Sequence, residues 1–116
     1  MVATNQQSDA FEMAVQLFQG IYQETETWPR VQVFGLIMDI RRAAMGIPSN
    51  LNEAQRLEGA EFLEFLTISQ NSLAELKDHL LIASKNPALS AVKVEPLLQQ
   101  VEDLGGKLQR LAASKT

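Results

Sequence analysis

The sequence contains no cysteine, which removes disulfides, thiol nucleophiles and thiolate metal sites together. It has a single histidine, His79, and the residue three before it is Leu76. Di-metal sites in helical bundles draw on Glu-x-x-His pairs from two helices, so that chemistry is excluded. Glu75 and His79 lie four apart and could clip one ion, but the plainer reading is a helical salt bridge or a solvent position. Also missing are a glycine-rich phosphate loop, a Ser-His-Asp order and a carboxylate pair isolated in apolar surroundings. The expectation is a protein that is not an enzyme and takes no cofactor. Basic charge is scarce as well. The net charge is −4, and Asp9, Glu12, Glu24 and Glu26 all precede the first basic residue, Arg30. From Arg30 onward acids and bases balance at ten each. Proteins that hold nucleic acid through phosphates usually carry a basic excess, because each neutralised phosphate needs a cation in place of its counterions. The balance here disfavours nucleic acid as a partner. No segment reaches the ~18 uninterrupted apolar residues of a membrane span, and Met1 to Ala10 has neither the basic start nor the apolar run of a signal peptide. These absences point to a soluble cytoplasmic protein with no membrane partner.

What is present is helical pattern. At 116 residues, 46% hydrophobic and 21% charged, the chain is sized for one domain over 1–116 with a core that needs no staples. From Asp9 to Glu26, Phe11, Val15, Phe18 and Tyr22 step by four, three and four, with Ala14, Leu17 and Ile21 widening the stripe. This spacing predicts a helix over 9–26 with that face buried. Trp28-Pro29 breaks it, since the residue before proline is pushed out of the helical region. Val33, Ile37, Ile40, Ala44, Ile47, Leu51 and Ala54 carry the same step through a second helix over 30–57, and the phase passes Gly46 and Pro48 without a slip. A proline inside a helix loses one backbone bond and clashes with the carbonyl four residues back, at roughly 3 kcal/mol. The expectation is one long helix kinked near Pro48; the alternative is two shorter helices with Gly46 to Ser49 as a turn.

Glu58-Gly59 marks the next corner. Phe62, Leu66, Ser69, Leu73, Leu76, Leu80 and Ala83 define a third helix over 60–85, with glutamates at its start that suit the dipole and Asn86-Pro87 as its stop. After a loop over 88–92, a fourth helix over 94–113 buries Val94, Leu97, Val101, Leu104, Leu108 and Leu111. Pro96 is tolerated in its first turn, and Gly105-Gly106 loosens its middle by up to ~1 kcal/mol per glycine. Four such helices with short connections imply an all-α, antiparallel up-down four-helix bundle with crossing angles of about 20°. Helices of about 18 to 28 residues span roughly 27 to 42 Å, so the molecule should be a rod.

The second and third helices carry more than a core stripe. Arg42, Asn50, Glu53 and Arg56 point away from it, with Phe34, Met38 and Met45 as an apolar strip between. On the third helix Phe65 and Ile68 alternate with Ser72, Glu75 and His79. Mixed aromatic, methionine and arginine surface is what protein interfaces favour; the bland reading is a wide core stripe edged by solvated charges. If the two helices fold back at Glu58-Gly59, Arg41 or Arg42 comes level with Glu75, which predicts a charge pair. Gly46 comes level with Ser72 or Asn71, which predicts a close helix approach. Arg41, Arg42, Asn50, Glu53, Arg56 and Glu75 are the candidate contact residues.

The run Arg-Arg-Ala-Ala-Met-Gly-Ile-Pro-Ser-Asn-Leu-Asn-Glu-Ala from Arg41 to Ala54 resembles the pattern Arg-Arg-Ala-x-x-Ser-Ile-Pro-x-Asn-Ile-Ala-Glu-Gly of the bacterial 23S rRNA intervening-sequence proteins. Arg56, Glu61-Phe62, Phe65-Leu66, Ile68, Ser72-Leu73 and Glu75-Leu76 match that family's second block, and the resemblance covers Phe11 to about Leu111. There are departures. Gly46 replaces a serine whose hydroxyl could bond a carbonyl freed by Pro48, Asn52 and Ala54 flank Glu53 in place of alanine and glycine, and Ser69 and Asn71 replace alanine and glycine. Losing the glycine at Ala54 suggests that the second helix continues more firmly there. The resemblance implies a four-helix bundle assembling as a homopentamer without known catalysis, hence a scaffold or adaptor with itself, and a protein, as partners. A related branch, the accessory variability determinant of diversity-generating retroelements, is pentameric and binds a reverse transcriptase and nucleic acid through basic surface. The alternative function is therefore a nucleic-acid-binding accessory of a reverse transcriptase or rRNA-related system. Symmetry would then gather Arg30, Arg41, Arg42 and Arg56 into a local basic ring.

Overall fold

The computed structural model describes residues 5–89 and 94–115. Its helices are α1 (Asn5–Glu26), α2 (Arg30–Ala54), α3 (Gly59–Ser84) and α4 (Glu95–Lys115), with a short 3₁₀ turn at Pro87–Leu89 after α3. No strand occurs among the described residues. Each helix packs on its chain neighbours and α4 closes on α1, giving a four-helix bundle of 45 × 20 × 18 Å. The near-square section follows from four helices of similar apolar width, and the length from the 25 residues of α2 and 26 of α3.

The core residues expected on the last three helices are all buried, from Val33 to Ala54 on α2, Phe62 to Ala83 on α3 and Val94 to Leu111 on α4. Helix α1 differs. Its inward face is Ala10, Ala14, Leu17 and Ile21, all at most 1% exposed. The expected aromatic stripe is rotated outward: Phe11 and Phe18 only pack against the core edge, and Tyr22 is 44% exposed. Small alanines let the backbone of α1 approach the core closely, which leaves the bulky stripe beside it no room inside. Trp28 does not merely end α1. It is 3% exposed, its Nε1–H donates to Glu24 Oε2 at 3.2 Å, and it seals the corner between α1 and α2.

Helix α2 runs unbroken past Gly46 and Pro48, and Pro48 is itself buried. The departure from helical backbone angles falls at Val33 (φ −129°, ψ 30°), in the first turn, whereas the expected kink lay near Pro48. Around the proline, side chains supply extra donors: Asn50 Nδ2 to Gly46 O at 2.7 Å and Ser69 Oγ to Ile47 O at 3.1 Å. These bonds fall on Gly46 O and Ile47 O, whereas the carbonyl that Pro48 leaves without its helical donor is Ala44 O, so they do not take the place of a serine hydroxyl at position 46. α2 also stops at Ala54 rather than running firmly on to 57. There Arg56 N–H bonds to Glu53 O and Leu57 N–H to Ala54 O, the tight three-residue spacing that closes a helix end. Gly59, with φ +60°, then takes the left-handed backbone that side chains disfavour and opens α3. The close approach expected at Gly46 is present: a Cβ there would lie 2.7 Å from Ser72 Oγ. Asn86 ends α3 by accepting the Ala88 N–H on Oδ1. Part of the loop expected over 88–92 lies outside the described residues.

Candidate functional site

Two helical stripes meet along the outside of α1 and α2. Phe11, Val15 and Phe18 from α1 and Met45, Pro48 and Asn52 from α2 enclose a shallow apolar depression. It continues past Phe18, Tyr22, Met38 and Arg42. The groove is apolar because each stripe repeats at three and four residues, one position round from its helix's core stripe.

Arg41 forms the floor of its upper half. Its Nε–H donates to Thr25 Oγ1 at 2.9 Å, and Nη2 reaches Glu26 Oε1 at 3.0 Å and Tyr22 O at 3.4 Å. The guanidinium lies 3.8 Å over the Tyr22 ring. Thr25 can accept because its one hydroxyl proton goes to Ile21 O at 2.8 Å. A cation so placed sits at the last turn of α1, where the helix dipole favours positive charge, and its planar fork faces three acceptors in fixed directions, where an ammonium would act as a point charge. With 11% of its side chain exposed, Arg41 joins α1 to α2. Arg41→Lys should therefore lower stability by about 1–2 kcal/mol, read by urea denaturation; an unchanged midpoint would show that Arg41 is an ordinary surface charge.

The other candidate residues do not gather with it. Arg42 is 76% exposed and pairs with Asp39 on its own helix at 3.2 Å. Arg56 pairs with Glu53 at 3.9 Å, and Asn50 spends its amide on Gly46 O. Glu75 is exposed and makes no ion pair with Arg41 or Arg42. The expected charge pair is thus absent within the chain: Arg41 turns the other way, to α1, and Arg42 takes an acid three residues back, which costs less side-chain ordering than reaching across. Arg30 is likewise held by Glu26, at 3.9 Å. All four arginines of the envisaged basic ring therefore have a carboxylate within 4 Å. The Thr25, Glu26 and Tyr22 contacts of Arg41 were missed in the sequence. Counting outward from the Trp28-Pro29 corner, as was done from Glu58-Gly59, would have set Arg41 level with Gln16 and not Tyr22, so the fold-back count does not find these contacts.

On the opposite side, α3 and α4 leave a more polar cleft around Gln70, Ala74, Gly105 and Gly106. Lys77 Nζ and Glu102 Oε1 meet across it at 2.7 Å. The hydrogen bond and charge of Glu102 push the Lys77 pKa up, which holds the ammonium charged and ties it to its partner. Among the described residues no three histidine, aspartate or glutamate side chains gather to hold a metal. His79 Nδ1 is buried and has no hydrogen-bond partner. No helix of the described residues is long and apolar enough to cross a membrane.

No curated protein matches the chain. The family model described as 23S rRNA-intervening sequence protein does, over residues 6–110, a span that takes in all of α2 and α3, most of α1 and α4, and the whole groove. The bundle, the Arg41–Ala54 run and this match lead to one conclusion: the chain belongs to the 23S rRNA-intervening sequence protein family.

Proposed function

We propose that this protein is a non-enzymatic scaffold or adaptor: an antiparallel up-down bundle that works in the cytoplasm as a homo-oligomer, a pentamer, through its outer α1–α2–α3 surface. The observation that carries this reading is the apolar strip there, with Phe34 at 52%, Met45 at 47%, Tyr22 at 44% and Met38 at 39% exposure. Large apolar side chains scattered singly need no explanation, but a contiguous strip beside arginines is the make-up of an interaction surface. The cation that turns inward at the groove, Arg41, serves to hold two helices together.

Native mass spectrometry tests the reading. The wild-type chain should appear as a single assembly of several copies, and Arg42→Glu with Arg56→Glu should shift it toward monomer. A monomeric wild type at micromolar concentration would overturn the proposal.

A second reading rests on the exposure of Arg42 and Arg56, 76% and 67% of their side chains: a nucleic-acid-binding accessory related to the retroelement determinant. The carboxylate beside each arginine works against it. Anisotropy of labelled RNA and DNA oligonucleotides decides the matter, because binding through phosphates must weaken steeply with salt.

A further inference from the structure

Helix α3 carries an outer stripe that none of the described residues covers. Phe65 is half-buried, Ile68 is 39% exposed, Glu75 is exposed, and Ile82 is 59% exposed. Between them Ser72 turns in to meet Gly46. This stripe lies on the α2–α3 side of the bundle, next to the α1–α2 side that holds the groove.

We infer that a second copy of this chain fills the α1/α2 groove, laying the outer stripe of its own α3 along it. The inference rests on the self-assembly proposed above and specifies which surfaces meet.

The support is register and charge. Ser69 bonds to Ile47 and Gly46 abuts Ser72, which fixes the height of every α3 residue against α2. Arg41 over Tyr22, and Met45 beside Phe18, fix α1 in the same way. In a ring whose axis runs along the bundles, these heights carry over from one copy to the next. The partner's Ile68 then arrives level with Val15 and Ser49, and its Phe65 level with Phe11 and Asn52, where the groove is apolar. The partner's Ile82 comes level with Phe34. The one acid of the stripe itself, Glu75, comes level with Tyr22 and Arg42, where the Arg42 side chain is 76% exposed and paired within its own chain only with Asp39. The charge pair absent within one chain is thus available between two.

The two surfaces also stand at an angle that closes. Adjacent sides of a square-section bundle are about 90° apart, the angle that shuts a ring at about four copies, with about 108° needed for five, whereas opposite sides would build an open filament.

The absence of native cysteine permits a clean test. Ser49→Cys and Ile68→Cys variants carrying different tags are co-expressed, checked by circular dichroism, and treated with a short bismaleimide. A cross-linked dimer bearing both tags is expected. Pairing Ser49→Cys with Ile82→Cys should give about tenfold less, since position 82 lies about 21 Å further along α3. As a second readout, Glu75→Arg should shift the native mass toward monomer, and adding Arg42→Glu should restore the assembly. An assembly that forms but cross-links Ser49→Cys to itself, or gives no 49–68 product, overturns this docking and leaves self-assembly standing. A monomeric wild type overturns both. Mass shift with a protein other than this chain seated in the groove, and no 49–68 product, would assign the groove to that partner instead.

Discussion

Trp28→Ala should cost about 3–5 kcal/mol, the loss typical of emptying a buried aromatic site, and Trp28→Phe about 1 kcal/mol. The indole is 3% exposed and sits where α1 gives way to α2, with Thr27 N–H and Trp28 N–H closing onto Glu24 O and Thr25 O. Alanine would leave a void at a corner whose backbone is already committed, since Pro29 follows and cannot adjust its φ. Phenylalanine keeps most of the volume and loses the Nε1–H bond to Glu24. A domain of this size has about 5–15 kcal/mol in total, so the alanine variant should be partly unfolded at 37 °C. Urea denaturation followed by far-ultraviolet circular dichroism gives the number. A cost below that of Trp28→Phe would mean that the corner does not depend on the ring.

Gly46→Val should lower stability by about 2 kcal/mol, a fall in Tm of about 8 °C, while Gly35→Ala in the same helix should raise it by about 0.5–1 kcal/mol. The two glycines differ only in what surrounds them. A Cβ at Gly35 meets nothing within 4 Å, so alanine only removes unfolded-chain freedom. At Gly46 the same atom lies 2.7 Å from Ser72 Oγ and 3.3 Å from Ser72 Cβ. The hydroxyl can rotate away, but the Cβ belongs to α3 and moves only with the helix. Adding Ser72→Gly should therefore recover most of the loss in a double-mutant cycle. If Gly46→Val and Gly35→Ala shifted stability in the same direction, the seam between α2 and α3 would be looser than drawn.

The core of α2, α3 and α4 was legible because each helix has one apolar stripe that steps by three and four, and burial follows the stripe. On α1 two stripes lie side by side, Phe11-Val15-Phe18-Tyr22 and Ala10-Ala14-Leu17-Ile21. Hydrophobicity favours the first, yet the second faces inward. The choice belongs to the neighbours: how near α1 can come is decided across the bundle, and a single helix's sequence does not contain it. The candidate site divides in the same way. Gly46 against Ser72 could be read from the corner at Glu58-Gly59, since a fold-back sets levels. Arg41 could not be assigned, because the fold-back count set Glu75 level with it and set Glu26, the acid it meets, level with Val31. Which way an arginine turns depends on which acceptors are already held, and Thr25, tied to Ile21 O, presents a ready lone pair.

The left-handed Gly59 has a further effect, on which molecule the chain can become. Were the corner to straighten, α2 and α3 would fuse into one rod able to exchange halves with another copy. Continued across the corner, the α2 seam would run through Glu58, Glu61, Phe65, Ile68, Ser72, Glu75, His79 and Ile82, five of them polar, in place of Phe62, Leu66, Leu73 and Leu76. On one straight seam the fused helix would put Glu61 and Glu75 where the hairpin puts Phe62 and Leu76. The one-residue change of phase at the corner thus sets the two seams about 100° apart around a fused helix, which favours the hairpin, in which each chain keeps its own fold.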